Sequence, residues 1–194
     1  MDCAFCPHHN CFSKGQNCLG LSPEQVLEHY DKADRAIMKA AGETESRNFM
    51  KMTRLEESLF FLKQIGAKKV GVAFCIGLAQ EAYYIAKYFK KGGLQVESIC
   101  CKNCGVDKDM LQIEKSKPGT LEIMCNPRIQ ARVLNEAGTE FNFVVGLCVG
   151  HDMIFTKASE APVSVLIAKD RVLANNTAGA VYSKFWRSKL GIQE

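Results

Sequence analysis

The segment Phe141–Asp152, FNFVVGLCVGHD, decides the fold that is predicted for this chain. Its apolar and β-branched run is typical of a buried parallel strand. The run ends at a thiol, Cys148, and Gly150 then opens a turn into a helix that is predicted to begin at His151. This segment therefore predicts a strand that brings a thiol to its own carboxyl end.

The same unit occurs earlier in the chain. The strand predicted for residues 69–75 ends at Cys75, and a strongly periodic helix is predicted for residues 77–91. Parallel strands of an open α/β sheet end at one edge, and such sheets bind ligands in the crevice outside that edge. We therefore expect Cys75 and Cys148 to lie along the same edge of one sheet.

The remaining chain predicts an α/β fold. We expect an open, mostly parallel sheet of four to five strands with flanking helices, in Rossmann-like or flavodoxin-like layers. Further strands are predicted at 94–101, 121–124 and 163–168, and two helices, from Ser22 to Gly42 and from 47 to 65, precede the first strand. A C-terminal helix is predicted for residues 176–190, with the apolar side chains Val181, Tyr182, Phe185 and Trp186 packing inward.

The predicted domain organisation has two parts. Residues 1–20 form a cysteine-rich metal-binding segment, and residues 21–194 form a three-layer α/β domain. A chain of 194 residues buries enough surface to fold without disulfides or metals. Its 47% hydrophobic and 24% charged residues are those of an ordinary globular protein, and a net charge of +4 does not by itself indicate nucleic acid or membrane as a partner.

Ten cysteines are the unusual feature of the composition. Residues 1–20 contain no basic and apolar regions of a signal peptide, and no apolar stretch approaches the roughly 18 residues of a membrane span. We therefore expect the protein in the cytoplasm and not at a membrane. Thiols stay reduced there, so the cysteines indicate metal binding or thiol chemistry, not a disulfide framework.

Four of the cysteines lie within the first eighteen residues. Their spacing is C-x2-C-x4-C-x6-C, formed by Cys3, Cys6, Cys11 and Cys18. The loop between them has turn-forming residues and little apolar content to hold its shape, which favours a closed four-sulfur site. We predict that this segment binds zinc or a [4Fe–4S] cluster.

A second group of cysteines follows the predicted strands. The candidate cofactor ligands at the carboxyl edge of the sheet are Cys75, Cys101, Cys104, Cys125 and Cys148, with His151 in reserve. These are more ligands than one tetrahedral zinc ion needs, so either a cluster or a zinc beside a free thiol is predicted. The expected partners are a metal ion or cluster and a small-molecule ligand or redox partner, and the expected role is redox chemistry or sensing.

Thiol catalysis is the alternative function. Cys125 precedes a helix predicted to begin at Pro127, and a helix N-terminus lowers the pKa of a nearby thiol. The catalytic candidates are Cys125 or Cys148 as nucleophile and His151 as base, in a thiol-dependent transferase or redox enzyme. The sequence contains no phosphate-binding loop, dinucleotide fingerprint or serine-hydrolase elbow.

Nucleic-acid binding is the least favoured alternative. The N-terminal spacing resembles a zinc knuckle, in which Phe5 and Phe12 would stack on bases and Lys14 would meet phosphate. However, a cysteine stands where that family has a histidine, and the last gap is longer.

The chain also resembles a family of uncharacterised, cysteine-rich prokaryotic proteins. The resemblance rests on residues 125–172, which contain C-N-P and G-L-C-V-G-H-D, on FCIGL at 74–78 and on the N-terminal four-cysteine run. That family is known as a domain of unknown function and is often labelled metal-binding protein. The resemblance implies that the N-terminal cysteines, Cys125, Cys148 and His151 are the positions of interest, and it implies no reaction.

Overall fold

A computed structural model describes residues 1–192 of the chain, and its sheet has four strands. They are β1 (Lys69–Phe74), β2 (Gln95–Cys100), β3 (Phe141–Val145) and β4 (Val163–Ile167). Neighbouring strands pair in parallel in the order β2-β1-β3-β4. The predicted α/β class with an open parallel sheet is confirmed.

Helices precede, connect and follow the strands. Their bounds are α1 (Asn10–Ser13), α2 (Pro23–Glu28), α3 (Lys32–Asn48), α4 (Arg54–Gln64), α5 (Ala79–Lys91), α6 (Pro127–Glu136), α7 (His151–Ala158), α8 (Gly179–Tyr182) and α9 (Lys184–Leu190). Short 3₁₀ turns occur at Cys3–Phe5, Ile76–Leu78 and Lys108–Leu111. Within residues 1–192, no helix combines the length and the apolar character needed to cross a bilayer.

The helices cover both faces of the sheet. On one face, α4 and α5 pack through Leu62 and Phe89 against side chains of β1 and β3 such as Val72. On the other face, α6 and α7 pack through Leu134 and Phe155. β1 and β3 are therefore buried on both sides, which explains why their sequences are nearly continuous apolar runs.

The strand order creates a crevice at the carboxyl edge of the sheet. From β1 the chain passes through α5 to β2 on one side, whereas β3 lies on the other side of β1. Open α/β sheets bind ligands at such a change of direction. Gly146 shapes the crevice, because its φ is +65° and an added Cβ would lie 2.7 Å from the Leu78 side chain.

The strand predicted at 121–124 is wrong. Only Ile123 pairs there, in an isolated antiparallel bridge with Asp107. Residues 105–124 form a loop that folds back on its own start, with ion pairs between Lys115 and Asp107 and between Lys108 and Glu122. The segment therefore pairs with itself and not with the sheet, and its apolar run does not form a fifth strand.

The two helices that were predicted before β1 are three helices in the structure, and their bounds differ from the predicted ones. The helix predicted from Ser22 to Gly42 breaks after α2, because the Asp31 side chain accepts a hydrogen bond from the Asp34 amide and begins α3. The second helix begins only at α4, where Thr53 and Glu56 form a capping box. A local cap therefore sets each of these helix starts, and a capping box between Ser22 and Gln25 likewise begins α2 at the predicted position.

The predicted inward packing of the C-terminal helix is also wrong. The tail divides into α8 and α9 at Ser183, which caps the second helix, and these two helices pack mainly on each other. Val181, Tyr182 and Phe185 are exposed, and Trp186 is half-buried. The core of the domain is closed without these apolar side chains.

Candidate metal and thiol site

Three cysteines follow three neighbouring strands at one edge of the sheet. Cys75 comes directly after β1, Cys101 directly after β2, and Cys148 three residues after β3. Because the strands are parallel, the predicted convergence of these positions on a common edge is observed. Whether these cysteines ligate a cofactor stays a prediction.

Cys125 joins this edge through a loop that returns to its start. The Asn126 amide donates to the Cys101 carbonyl oxygen at 2.7 Å, and the Met124 amide donates to Val106 at 2.8 Å. As a result, the sulfur atoms of Cys101 and Cys125 lie 3.7 Å apart and share a hydrogen bond. Cys101 is buried and Cys125 is half-buried, so the pair lies at the rim of the core.

The surroundings of the pair favour a thiolate on Cys125. A hydrogen bond from the Cys101 thiol lowers the pKa of Cys125, and the nearby Lys102 ammonium lowers it further. The same hydrogen bond, together with burial, raises the pKa of Cys101. Cys101 therefore keeps the shared proton when the pair first ionises.

Cys75 lies beside this pair. Its side chain is buried in the same apolar cluster as Cys101, and the amide of the next residue, Ile76, donates to the Cys101 sulfur at 3.5 Å. The Lys169 ammonium and the Cys75 sulfur both lie within 4.0 Å of the point where a Cβ on Gly77 would be. A basic group and this thiol therefore lie in the same neighbourhood, around Gly77.

Cys148 is held by an arginine from the end of the edge strand. Nη2 of Arg171 donates to the Cys148 sulfur at 3.0 Å. His151 begins α7 three residues later, and its Nδ1 atom is buried without a hydrogen-bond partner within the described chain. A histidine nitrogen in that condition is available to a ligand or a metal.

Cys104 lies apart from the other candidates. It is exposed, and its sulfur contacts the Asn103 side chain at 2.9 Å, so the C-x2-C spacing does not pair it with Cys101. Over residues 1–192, no three cysteine, histidine or acidic side chains are close enough together to hold a metal ion as they stand. The structure thus brings two sulfurs into contact and leaves the other candidates nearby.

The N-terminal cysteines are exposed. All four lie in a segment that buries none of its side chains, and Phe5 and Phe12 are also exposed. The backbone amides of His8 and His9 donate to the Cys6 sulfur and lower its pKa. The turn after Cys6 therefore favours a thiolate. The four-sulfur site, and the division of the chain at residue 20, stay predictions.

The basic residues at this edge of the sheet were not among the predicted site residues. Lys102 lies two residues after β2, and Lys169 and Arg171 lie two and four residues after β4, so all three are close to strand ends. Their positions soon after predicted parallel strands could have indicated that they lie at the same edge as the cysteines. Asp170, between the last two, accepts hydrogen bonds from the amides of Val172 and Leu173 and so forms a turn.

Comparison with known proteins places the chain in a family. A family model described as "Protein of unknown function (DUF1847)" matches residues 16–166. The chain belongs to this family. An uncharacterized protein of Methanocaldococcus jannaschii is 45% identical over 191 residues, which cover 98% of each chain. The match to the DUF1847 model includes the inner cysteines and Cys18, whereas Cys3, Cys6 and Cys11 precede it.

One solved structure shows a weak resemblance to this DUF1847 member. It is the crystal structure of Dph2 from Pyrococcus horikoshii with a 4Fe-4S cluster, and its sequence is 19% identical. The alignment covers 72% of this chain and 33% of that one, so the chain spans about a third of the Dph2 length. The TM-score is 0.38, which is too low to serve as evidence for a shared function.

Proposed function

We propose that this protein binds metal through cysteine thiolates at two places, the N-terminal four-cysteine segment and the carboxyl edge of the sheet. The observation that carries the proposal is the 3.7 Å separation of the Cys101 and Cys125 sulfurs. Two sulfurs that bind one tetrahedral zinc ion at about 2.3 Å lie about 3.8 Å apart. A disulfide would bring them to about 2.05 Å.

This separation favours a single ion over a cluster at the inner site. In a [4Fe–4S] cluster each cysteine binds a different iron atom, so the cysteine sulfurs lie farther apart than two ligands of one ion. Cys101 and Cys125 would be the first two ligands. The buried Cys75 and His151, which lie close enough to affect the pKa values of the pair, could extend the ligand set. Cys148, at the same edge of the sheet, is a further candidate sulfur.

These residues fit a metal site in part: some of their contacts suit a metal-bound state, and others would have to change. The Nδ1 atom of His151 has no partner within the described chain, and the Ile76 amide already donates to the Cys101 sulfur, as amides do to thiolates. Cys75 and Cys148 would have to rotate toward the pair, because three ligands are not yet within reach of one point. A bound metal would keep the thiols ionised and hold the loop end at Cys125 in place.

The charges near the site support several thiolates together. Lys102 lies beside Cys125, Lys169 and Cys75 both lie near Gly77, and Arg171 contacts Cys148. A zinc ion with four thiolate ligands carries a net charge of −2, and nearby cations offset that charge where water is partly excluded.

The N-terminal segment supports the proposal by a different argument. Its side chains are exposed, so it lacks a core that could define its shape. In such segments a metal supplies the free energy of folding. The amides that donate to the Cys6 sulfur are of the kind that stabilise metal-bound thiolates, and either zinc or a [4Fe–4S] cluster would fit four sulfurs.

Metal analysis of anaerobically purified protein tests the proposal. We expect stoichiometric metal, loss of the inner equivalent in Cys101→Ser/Cys125→Ser, and loss of the other in Cys6→Ser. Cys104→Ser is the matched control, because that exposed cysteine lies apart from the pair. Cobalt substitution would show thiolate charge-transfer bands. Protein that holds no metal after anaerobic reconstitution, or a double variant with full metal content, would contradict the proposal.

Dithiol chemistry is a second candidate, favoured by the same pair. A Cys125 thiolate would attack a substrate disulfide and release one substrate thiolate, and Cys101 would then displace the second. The two protein thiols become a disulfide, and the substrate disulfide becomes two thiols. Protein disulfide formation in the metal-free protein, measured by mass spectrometry in a glutathione series, tests this function, and a Cys101–Cys125 pair that never forms a disulfide would rule it out.

A further inference from the structure

A groove lies on the side of the domain away from the cysteines. It has a volume of about 430 Å³ and is bounded by α3, α4 and the first residues of β3 and β4. The apolar side chains on its surface are those of Ile37, Ala41, Phe61, Phe141, Pro162 and Val163. Glu45 and Glu57 are also part of its wall, and neither forms an ion pair within residues 1–192.

Apart from the two carboxylates, the polar side chains of the groove already have hydrogen-bond partners. Arg54 donates to the Val165 carbonyl and to the Ser164 hydroxyl, and the Ser58 hydroxyl donates to the Arg54 carbonyl. The Thr44 hydroxyl donates to Ala40 within its own helix. What the groove offers to an occupant is therefore an apolar surface with two unpaired carboxylates, not a set of free hydrogen-bonding groups.

The C-terminal tail has the complementary character. Tyr182 is 81% exposed and Phe185 is 68% exposed, so two large aromatic side chains lie in solvent. Residues 171–192 contain no acidic residue, and α9 has cations at Lys184 and Lys189. A tail with exposed aromatic and basic side chains fits an apolar groove with free carboxylates.

We propose that the α8–α9 tail of one copy of this chain packs into the α3–α4 groove of a second copy. The tail leaves the domain after β4, at the carboxyl edge, whereas the groove opens at the amino ends of β3 and β4. Within the described residues, every side chain that lines the groove belongs to residues 37–164, so the chain's own tail lies outside it. A second copy supplies both surfaces at once.

Reciprocal exchange doubles the contact area. In a two-fold dimer each tail occupies the other copy's groove, so every contact occurs twice. Each buried aromatic side chain contributes about 150–250 Å² of surface, and two tails with Tyr182 and Phe185 bury about 600–1,000 Å² before their flanking residues are counted. This approaches the size of a specific interface, about 1,200–2,000 Å² in total. The dimer is independent of the proposed metal sites.

Charge reversal in the full-length protein tests the exchange by sedimentation. The groove variant is Glu45→Lys/Glu57→Lys, and the tail variant is Lys184→Glu/Lys189→Glu. We expect a wild-type dimer and, because like charges then face each other, dimerisation at least about tenfold weaker in each variant. Lys91→Glu/Lys117→Glu, which reverses two exposed lysines outside the groove and the tail, is the control and keeps the wild-type dimer.

Mixing the two variants distinguishes exchange from the other arrangements. A reversed tail meets a reversed groove and a native tail meets a native groove, so the mixture forms dimers although neither variant does alone. The four-substitution chain also dimerises. Trp186, the only tryptophan, reports tail docking through its fluorescence. A wild-type monomer, a mixture that stays monomeric, or a monomer whose tail binds anionic lipid vesicles instead would overturn the proposal.

Discussion

The Gln130 side chain donates a hydrogen bond of 2.8 Å to the backbone oxygen of Ile99, two residues before Cys101. The same nitrogen donates at 3.2 Å to the backbone oxygen of Phe74, the residue before Cys75. Gln130 is fully buried in α6. One side chain therefore ties the helix after Cys125 to the two strand ends that precede the other inner cysteines.

Replacing Gln130 is expected to destabilise the fold. In Gln130→Leu the partly buried Ile99 oxygen loses this donor, at a cost of about 1–3 kcal/mol that the removal of the unpaired Gln130 Oε1 atom offsets only in part. Urea unfolding of the metal-free protein measures the loss. Gln80→Leu is the matched control, because Gln80 is exposed on α5 and its replacement is expected to change stability by less than about 0.5 kcal/mol. Equal effects of the two substitutions would contradict this role for Gln130.

Two glycine-to-alanine substitutions are expected to have opposite effects. A Cβ on Gly71, in β1, would lie 2.0 Å from the Asn142 side-chain oxygen and 2.7 Å from Leu134. Gly71→Ala therefore overpacks the core, at a cost of about 1–3 kcal/mol or more. Gly42, inside α3, has open space around its Cβ position, so Gly42→Ala should stabilise the helix by up to about 1 kcal/mol. Thermal unfolding of both variants checks the signs.

Alkylation of the metal-free protein should reveal the thiolate on Cys125. An ordinary thiol reacts slowly below its pKa of about 8.5 because little thiolate is present. The pKa of Cys125 is lowered, so its alkylation should stay fast as the pH falls below that value and slow only below the lowered pKa. Peptide mass spectrometry at a series of pH values gives the profile.

The charge of Lys102 contributes to that profile. Lys102→Met removes the cation beside Cys125, so the pKa of Cys125 should rise and the alkylation profile should move to higher pH. Lys117→Met is the control, since Lys117 is exposed in the loop and its removal should leave the profile unchanged. Identical profiles for all three proteins would show that Lys102 does not act on the thiol.

The loop that ends at Cys125 should weaken in acid. The Asp109 amide, followed by the Lys115 ammonium, lowers the pKa of Asp107 to about 2. A carboxyl whose folded pKa is below its unfolded value stabilises the fold above the unfolded value, near 4, and loses that effect as the pH falls to about 2. Asp107→Asn should therefore lower the urea midpoint at neutral pH, and the difference from the parent should vanish between pH 4 and 2. Asp2→Asn should show no such dependence.

The sequence alone determined the arrangement of the sheet edge. The apolar runs that end at Cys75 and Cys148 predicted parallel strands with thiols at one edge, because strands buried on both faces must be continuously apolar. The capping box at Ser22 and the start of a helix at Pro127 also follow from local chemistry, since they depend on residues within one helical turn. The apolar run at 121–124 gave a wrong prediction, because short apolar runs occur both in strands of a sheet and in loops that pair with themselves.

The tertiary structure decided which sulfurs meet. Cys101 and Cys104 have the spacing of a metal or redox pair, yet the partner of Cys101 is Cys125, 24 residues away. Hydrogen bonds within the loop bring the two sulfur atoms together, and no pattern in the sequence predicts that contact. Likewise Arg171 reaches Cys148 because β3 and β4 are neighbours. Residue types and strand ends are local properties of the chain, whereas contacts between distant side chains depend on how the loops close.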